Sequence, residues 1–175
     1  NVLRKTRISS LATYVPPTIL DNHQLSKMVD TTDEWILQRT GIRTRHVVGK
    51  GVATSDMAKE AALKAIANAG LTPGDIDFLV VGTTTPDMMF PSTAALVQHK
   101  IGATACWGFD LAAACSGFTF SLGVASQLVS TGKHQRALVI GADAMSTIID
   151  YTDRTTCVLF GDGAGAVIVE PAVEE

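Results

Sequence analysis

The run Phe78-Leu79-Val80-Val81-Gly82 offers no polar side chain to either face of a strand. A short, wholly apolar segment of this kind fits a parallel strand covered on both sides. Its neighbours agree. Upstream, Thr54 or Ser55 caps a helix with Ala58, Ala61, Ala62, Ala65, Ile66 and Ala69 on one side and Gly70 after it. Downstream, a loop bounded by Pro86 and Pro91 leads to Ser92, which caps a helix ending at Gly102. Helix, strand, loop, helix is half of a βαβ grammar.

The same alternation continues outward. Trp107–Leu111 reads as a strand, followed by a helix with Phe118, Leu122, Ala125, Leu128 and Val129 at helical spacing and Gly132 as its stop. Ala137–Ile140 and Ala164–Val169 are two further strands, and Ile8–Val15 is another, halted by Pro16-Pro17. Between them, Asn22 caps a short helix to about Val29. Thr31-Thr32-Asp33-Glu34 has the capping-box pattern ahead of Trp35-Ile36-Leu37 and a stop at Gly41. The pattern predicts an α/β unit, with a mixed, mostly parallel five-stranded sheet and helices on both faces.

The 175 residues suit one domain or half of a larger one. Apolar residues make up 46% and charged ones 18%, which excludes disorder and points to extensive burial, including burial against something outside this chain. A net charge of −3 offers no basic footprint for nucleic acid. The N-terminal Asn1–Arg7 segment is basic but no long apolar run follows, so neither a signal peptide nor an anchor fits. Leu111–Gly132 is uncharged and long enough to span a bilayer. It holds Ser116, Thr119, Ser121, Ser126, Gln127, Ser130 and Thr131, however, and is read as a helix buried on most sides in a soluble protein. Cys106, Cys115 and Cys157 form neither a CxxC nor an even framework, which fits a reducing, cytosolic setting.

The chemistry concentrates in Asp110-Leu111-Ala112-Ala113-Ala114-Cys115-Ser116-Gly117-Phe118. A strand ends, small residues turn, and a helix begins. A thiol at that junction lies beside unpaired helix N–H groups, whose partial positive charge favours thiolate and can stabilise an oxyanion. Small neighbours leave room for a slender substrate arm. The competing reading of any free cysteine is a buried structural one, and for Cys106 and Cys157, inside apolar runs, that reading is preferred. Cys115 is the candidate nucleophile. His23, His46, His99 and His134 are all read as surface residues, and none is placed by sequence beside Cys115, so the catalytic set looks incomplete.

Other motifs carry less. Gly161-Asp162-Gly163-Ala164-Gly165-Ala166 is not GxGxxG and precedes a strand, so close backbone approach or a tight turn explains it better than a dinucleotide. Gly132-Lys133-His134 is no phosphate loop, and no residue cluster has metal-ligand spacing. Trp35 and Arg39 are four apart on one helix face, where an indole and a guanidinium could stack an adenine and hold phosphate. A core Trp with a solvated Arg is the plainer alternative.

Taken in order, these motifs resemble the first half of β-ketoacyl-acyl carrier protein synthase III, of the thiolase-like superfamily. The carriers are Asp33-Glu34-Trp35-Ile36, Arg39-Thr40-Gly41-Ile42-Arg43, Thr83-Thr84-Thr85 and Phe90-Pro91-Ser92. They continue with Phe109 to Phe118, Thr152-Asp153-Arg154 and Phe160 to Ala166. The resemblance implies half of a thiolase-like fold over residues 1–175. It also implies an acyltransferase that starts fatty acid synthesis without a bound cofactor, acyl-CoA being a substrate. Cys115 would accept the acyl group, and malonyl-acyl carrier protein would then condense with the thioester. Thr31, Trp35, Arg39 and Arg154 would meet the CoA nucleotide. Phe90, Met145 and Phe160 would line the acyl pocket, Phe90 from across a homodimer interface.

The family's catalytic His and Asn belong to motifs of the second half, so this half alone is expected to be inactive. The uncharged helix after Cys115 should then be partly naked, waiting for its counterpart in that half. Two alternatives share the fold: a CoA-dependent condensing enzyme of polyketide or secondary metabolism, and a non-catalytic subunit, against which the presence of Cys115 counts.

Overall fold

A computed structural model describes residues 3–173. The first two residues of the basic N-terminal segment lie outside that range. In chain order the elements are β1 (Thr6–Tyr14), β2 (Thr18–Asp21), α1 (Asn22–Leu25), α2 (Asp33–Thr40), β3 (Thr44–Val47) and α3 (Thr54–Asn68). Then come β4 (Phe78–Gly82), α4 (Thr93–Ile101), β5 (Trp107–Leu111), α5 (Gly117–Ser130), β6 (Ala137–Ala144) and β7 (Asp162–Pro171).

The apolar run of β4 lies inside a five-stranded sheet of order β1-β7-β6-β4-β5. It is wholly buried, as its composition requires. β4 pairs in parallel with β5 and with β6; α4 carries the chain from β4 to β5, and α5 carries it from β5 past β4 to β6. β7 pairs antiparallel with both β6 and β1. Four strands therefore share one direction and β7 alone is reversed. The cause is local: the segment from Met145 to Gly161 contains turns and a short 3-10 helix but no crossover helix, so the chain folds straight back. β2 and β3 form a separate two-stranded antiparallel ladder, which periodicity over four residues does not reveal.

Side-chain alternation along the strands divides the core. Leu79, Val81, Leu138, Ile140 and Ile168 face α3 and α4. Phe78, Val80, Val139, Val167 and Val169 face α5. Fully burying such side chains contributes on the order of 1.5–3 kcal/mol each. The alanines of α3 let its backbone lie close to the sheet: Ala58, Ala61, Ala62 and Ala65 are inaccessible to solvent.

Local capping signals hold where the side chain has no competing partner. Ser92 Oγ accepts from Ala95 N, and the left-handed Gly41 and Gly102 close α2 and α4. Three expectations shift by a residue. Asp21, not Asn22, caps α1, in a box with Gln24, and the helix ends at Leu25 rather than near Val29. Thr32 caps α2 by accepting from Trp35 N, in place of a Thr31–Glu34 box. For α3 the boundary residue is Ala53, whose N–H is met by Asp56. The Thr54 and Ser55 hydroxyls instead donate to Thr85 O and Asp87.

α5 covers only part of its face of the sheet. Its inner side, Ser121, Ala125 and Val129, is buried, while Phe120 (56% exposed) and Val124 (37%) point outward. The outer side is uncharged and mostly apolar, with a shallow groove along Phe120, Gly123, Val124 and Leu128 that Thr119 and Gln127 also line. Among the described residues no helix is long and apolar enough to cross a membrane.

Candidate functional site

Cys115 sits in a single 3-10 turn, Ala114–Ser116, between the C-terminal end of β5 and the first residue of α5. The turn is tight enough to hold Ala114 at φ +47, a left-handed conformation that a side chain seldom adopts and that recurs at functional turns. The Cys115 side chain is exposed, whereas Cys106 and Cys157 are buried. Burial, with a smaller contribution from Asp77, pushes the Cys106 thiol up from 9.0 to about 11. Burial also raises Cys157, which sits near Asp153. Among the described residues no side chain caps the first turn of α5, while the Ser116 and Gly117 amides that follow Cys115 donate to Ala113 O and Ala114 O within the turn.

Glycines create the space around the sulfur. A Cβ on Gly82, at the end of β4, would fall 2.7 Å from the Gly117 carbonyl carbon, and one on Gly141 would fall 3.1 Å from Phe118 Cβ. Their absence lets the N-terminus of α5 rest on the tips of β4 and β6. Gly163 and Gly165, with Gly82 and Gly141, line an open cleft of about 330 Å³ that contains Cys115, Phe118 and Met145. The glycine-rich segment thus serves close approach, as expected, and lies largely within β7 rather than ahead of it. A Cβ on Gly161 would likewise fall 3.0 Å from the carbonyl oxygen of His46.

Asp143 lines the same cleft, a residue that the sequence motifs do not single out. One of its oxygens accepts from Thr84 N (2.7 Å) and from the hydroxyls of Thr83, Thr84 and Thr85. It ties the loop after β4 to the end of β6. A lone acid closing an otherwise small, apolar strand is the signal that could have found it. Asp110 plays a similar part, accepting from Thr93 N and Ala94 N at the start of α4.

A second cluster forms around Trp35. The guanidinium carbons of Arg39 and Arg154 lie 4.7 Å and 5.1 Å from its ring centroid, so both cations stack on a half-buried indole. Arg154 also donates to Asp30 O at 3.0 Å. Thr31, beside this cluster in sequence, is 9% exposed, and its hydroxyl has no hydrogen-bond partner. Both arginines are exposed, yet each lies over the indole rather than free in solvent. The remaining candidates separate. Met145 lines the cleft. Phe160, 38% exposed, adjoins the cleft-lining Gly161, and Phe90 projects from its loop at 89% exposure.

Among the described residues no histidine lines the cleft. His23 and His99 are exposed as expected. His46 and His134 are half-buried, each with a partner: His46 Nδ1 shares a hydrogen bond with Pro16 O, and His134 packs edge-on against Phe78 with ring centroids 5.0 Å apart. Its aromatic neighbours are distant in sequence, which hides the packing of His134 from a local reading.

The fold is one half of a thiolase-like architecture, a mixed five-stranded sheet with a cysteine at a strand-to-helix elbow. Residues 109–175 match the family model for 3-oxoacyl-[acyl-carrier-protein (ACP)] synthase III. A β-ketoacyl-[acyl-carrier-protein] synthase III of Koribacter versatilis is 58% identical over 169 residues, covering 97% of this chain and 51% of that protein. Its counterpart in Solibacter usitatus is 55% identical over 170 residues, with the same coverage of 97% and 51%. Among solved structures, 3-oxoacyl-[acyl-carrier-protein] synthase III from Aquifex aeolicus VF5 superposes with a TM-score of 0.93 at 44% identity, over 97% of this chain and 55% of that one. The priming β-ketosynthase of the R1128 polyketide pathway gives 0.94 at 36% identity, over 97% and 51%. The chain is a relative of the synthase III proteins, and it spans about half the length of the curated relatives it matches.

Proposed function

We propose that the chain is the nucleophile-bearing half of a condensing enzyme that starts fatty acid synthesis. One observation carries the reading: an exposed cysteine in an open cleft, at a helix start that no side chain caps. The Cys115 sulfur attacks the carbonyl of an acyl-CoA. The S–C bond to the enzyme forms, the bond to CoA breaks, and CoA leaves as its thiol. The amides at the start of α5 offset charge on the developing oxyanion. Malonyl-acyl carrier protein then loses carbon dioxide, and the resulting carbanion attacks the thioester, returning the Cys115 thiolate and a β-ketoacyl product.

In this reading the CoA adenine stacks in the Trp35–Arg154 cluster, with Arg39 and Thr31 beside it. Met145, Phe160 and a Phe90 supplied across a homodimer interface bound the acyl chain. A second half carries the His and Asn that assist decarboxylation, and it covers the naked outer face of α5. The setting is the reducing cytosol. Incubating the full-length protein with radiolabelled acetyl-CoA tests this: label is expected on the Cys115 peptide and absent from Cys115→Ser. No label on the wild-type peptide would refute the reading in favour of a non-catalytic subunit.

The R1128 likeness supports a second reading, a starter enzyme of polyketide synthesis. Comparing acylation by acetyl-CoA with that by longer and branched acyl-CoAs separates the two.

A further inference from the structure

Arg45 is a buried cation that neither the cleft nor the stacked cluster uses directly. It is 4% exposed. Its partners are oxygens of neutral groups: Nε and Nη2 donate to Val158 O, and Nη1 donates to Asn22 Oδ1. Burial lowers its pKa from the ordinary value, with the nearby Cys157 and Tyr151 acting the other way. Keeping a guanidinium here without a carboxylate is costly, and an apolar side chain would fill the space more cheaply. The geometry supplies a reason to keep it.

Asn22 is 1% exposed and turns its amide nitrogen to α2. That nitrogen donates to Asp33 Oδ1 at 2.7 Å and to Ile42 O at 2.9 Å. Asp33 opens α2, and Ile42 follows the Gly41 that closes it. One side chain thus grips both ends of the helix that presents Trp35 and Arg39. On the other side, Val158 belongs to the segment carrying Arg154, four residues earlier. Arg45 is the link between the two grips, and the fork geometry of a guanidinium is what allows it to hold two directions at once.

We propose that Arg45, acting through Asn22 and Val158, is a positioning residue that sets the separation of Trp35 from Arg154 and so the affinity for the nucleotide end of a CoA thioester. The inference rests on the proposed function. Its test compares two substrates of the full-length enzyme: acetyl-CoA, and acetyl-pantetheine, which has the same thioester without the nucleotide. In Arg45→Met the KM for acetyl-CoA is expected to rise about tenfold, the loss of one to two stacked cations, with kcat unchanged. The KM for acetyl-pantetheine should not move. Equal damage on both substrates, or on neither, overturns the proposal. Should Arg45→Met fail to fold, Asn22→Ala carries the same comparison: a rise confined to acetyl-CoA supports the proposal, and equal or no damage overturns it. Trp35→Ala is the control. If it spares the preference for acetyl-CoA, the CoA reading itself fails; if it abolishes that preference while Arg45→Met does not, only the role of Arg45 is lost.

Discussion

Gly82 and Gly117 touch backbone to backbone: a Cβ on Gly82 would stand 2.7 Å from the Gly117 carbonyl carbon and 2.9 Å from Phe118 N. The start of α5, and with it Cys115, is seated directly on the tip of β4. Gly82→Ala is therefore expected to push α5 off the sheet. The cost is that of an overpacked core, about 1–3 kcal/mol in denaturant unfolding. Acylation of Cys115 should slow with it, because the amides behind the sulfur move.

The three thiols should differ sharply in alkylation. Iodoacetamide at neutral pH is expected to modify Cys115 alone, since Cys106 and Cys157 are buried and their thiols held above the usual range. Mass spectrometry of the digest checks this, and early modification of Cys157 would contradict the structure.

Cys106 also predicts a pH dependence. Its folded pKa, about 11, lies above its ordinary 9.0. The folded state holds that proton more tightly, so this contribution to stability is complete below pH 9 and is lost as pH rises toward 11. Melting temperatures over that window should fall for the wild type. They should fall less for Cys106→Ala, which cannot ionise there.

Asp143→Ala should destabilise the protein by about 2–3 kcal/mol, because it strands donors that a charged acceptor had satisfied. Asp143→Asn keeps one acceptor oxygen and should cost less. Calorimetry of both variants gives the order, and a reversed order would remove Asp143 as the pin of the Thr83–Thr85 loop.

The outer face of α5 yields a test of the proposed second half. Phe120 is 56% exposed, so Phe120→Glu should change the stability of this half by no more than about 0.5 kcal/mol. Association with a separately expressed second half, followed by sedimentation, should be lost. Undiminished association would mean that some other surface docks it.

Much of this architecture is legible because its causes are local. The unbroken apolar character of Phe78–Gly82, the alanine face of α3 and the Ser92 cap each follow from side chains within a few residues. The Cys115 elbow is legible for the same reason, being a strand end, a small-residue turn and a helix start in nine consecutive positions. The capping shifts at α3 show the limit. Thr54 and Ser55 are good caps by type, but Thr85 and Asp87, some thirty residues on, claim their hydroxyls first.

The amino-acid sequence by itself determined which segments become the five strands of the main sheet and its helices, which faces they bury, and that one cysteine stands apart from the other two. Periodicity and backbone sterics act over a turn or a pleat, so their consequences can be followed along the chain. Tertiary structure alone decided that β2 pairs with β3, that Asp143 gathers three threonines, that His134 packs against Phe78 and Trp107, and that Arg45 joins two sides of the tryptophan cluster. Each of those depends on partners far apart along the chain, whose meeting is set by the packing of whole layers rather than by any neighbouring residue.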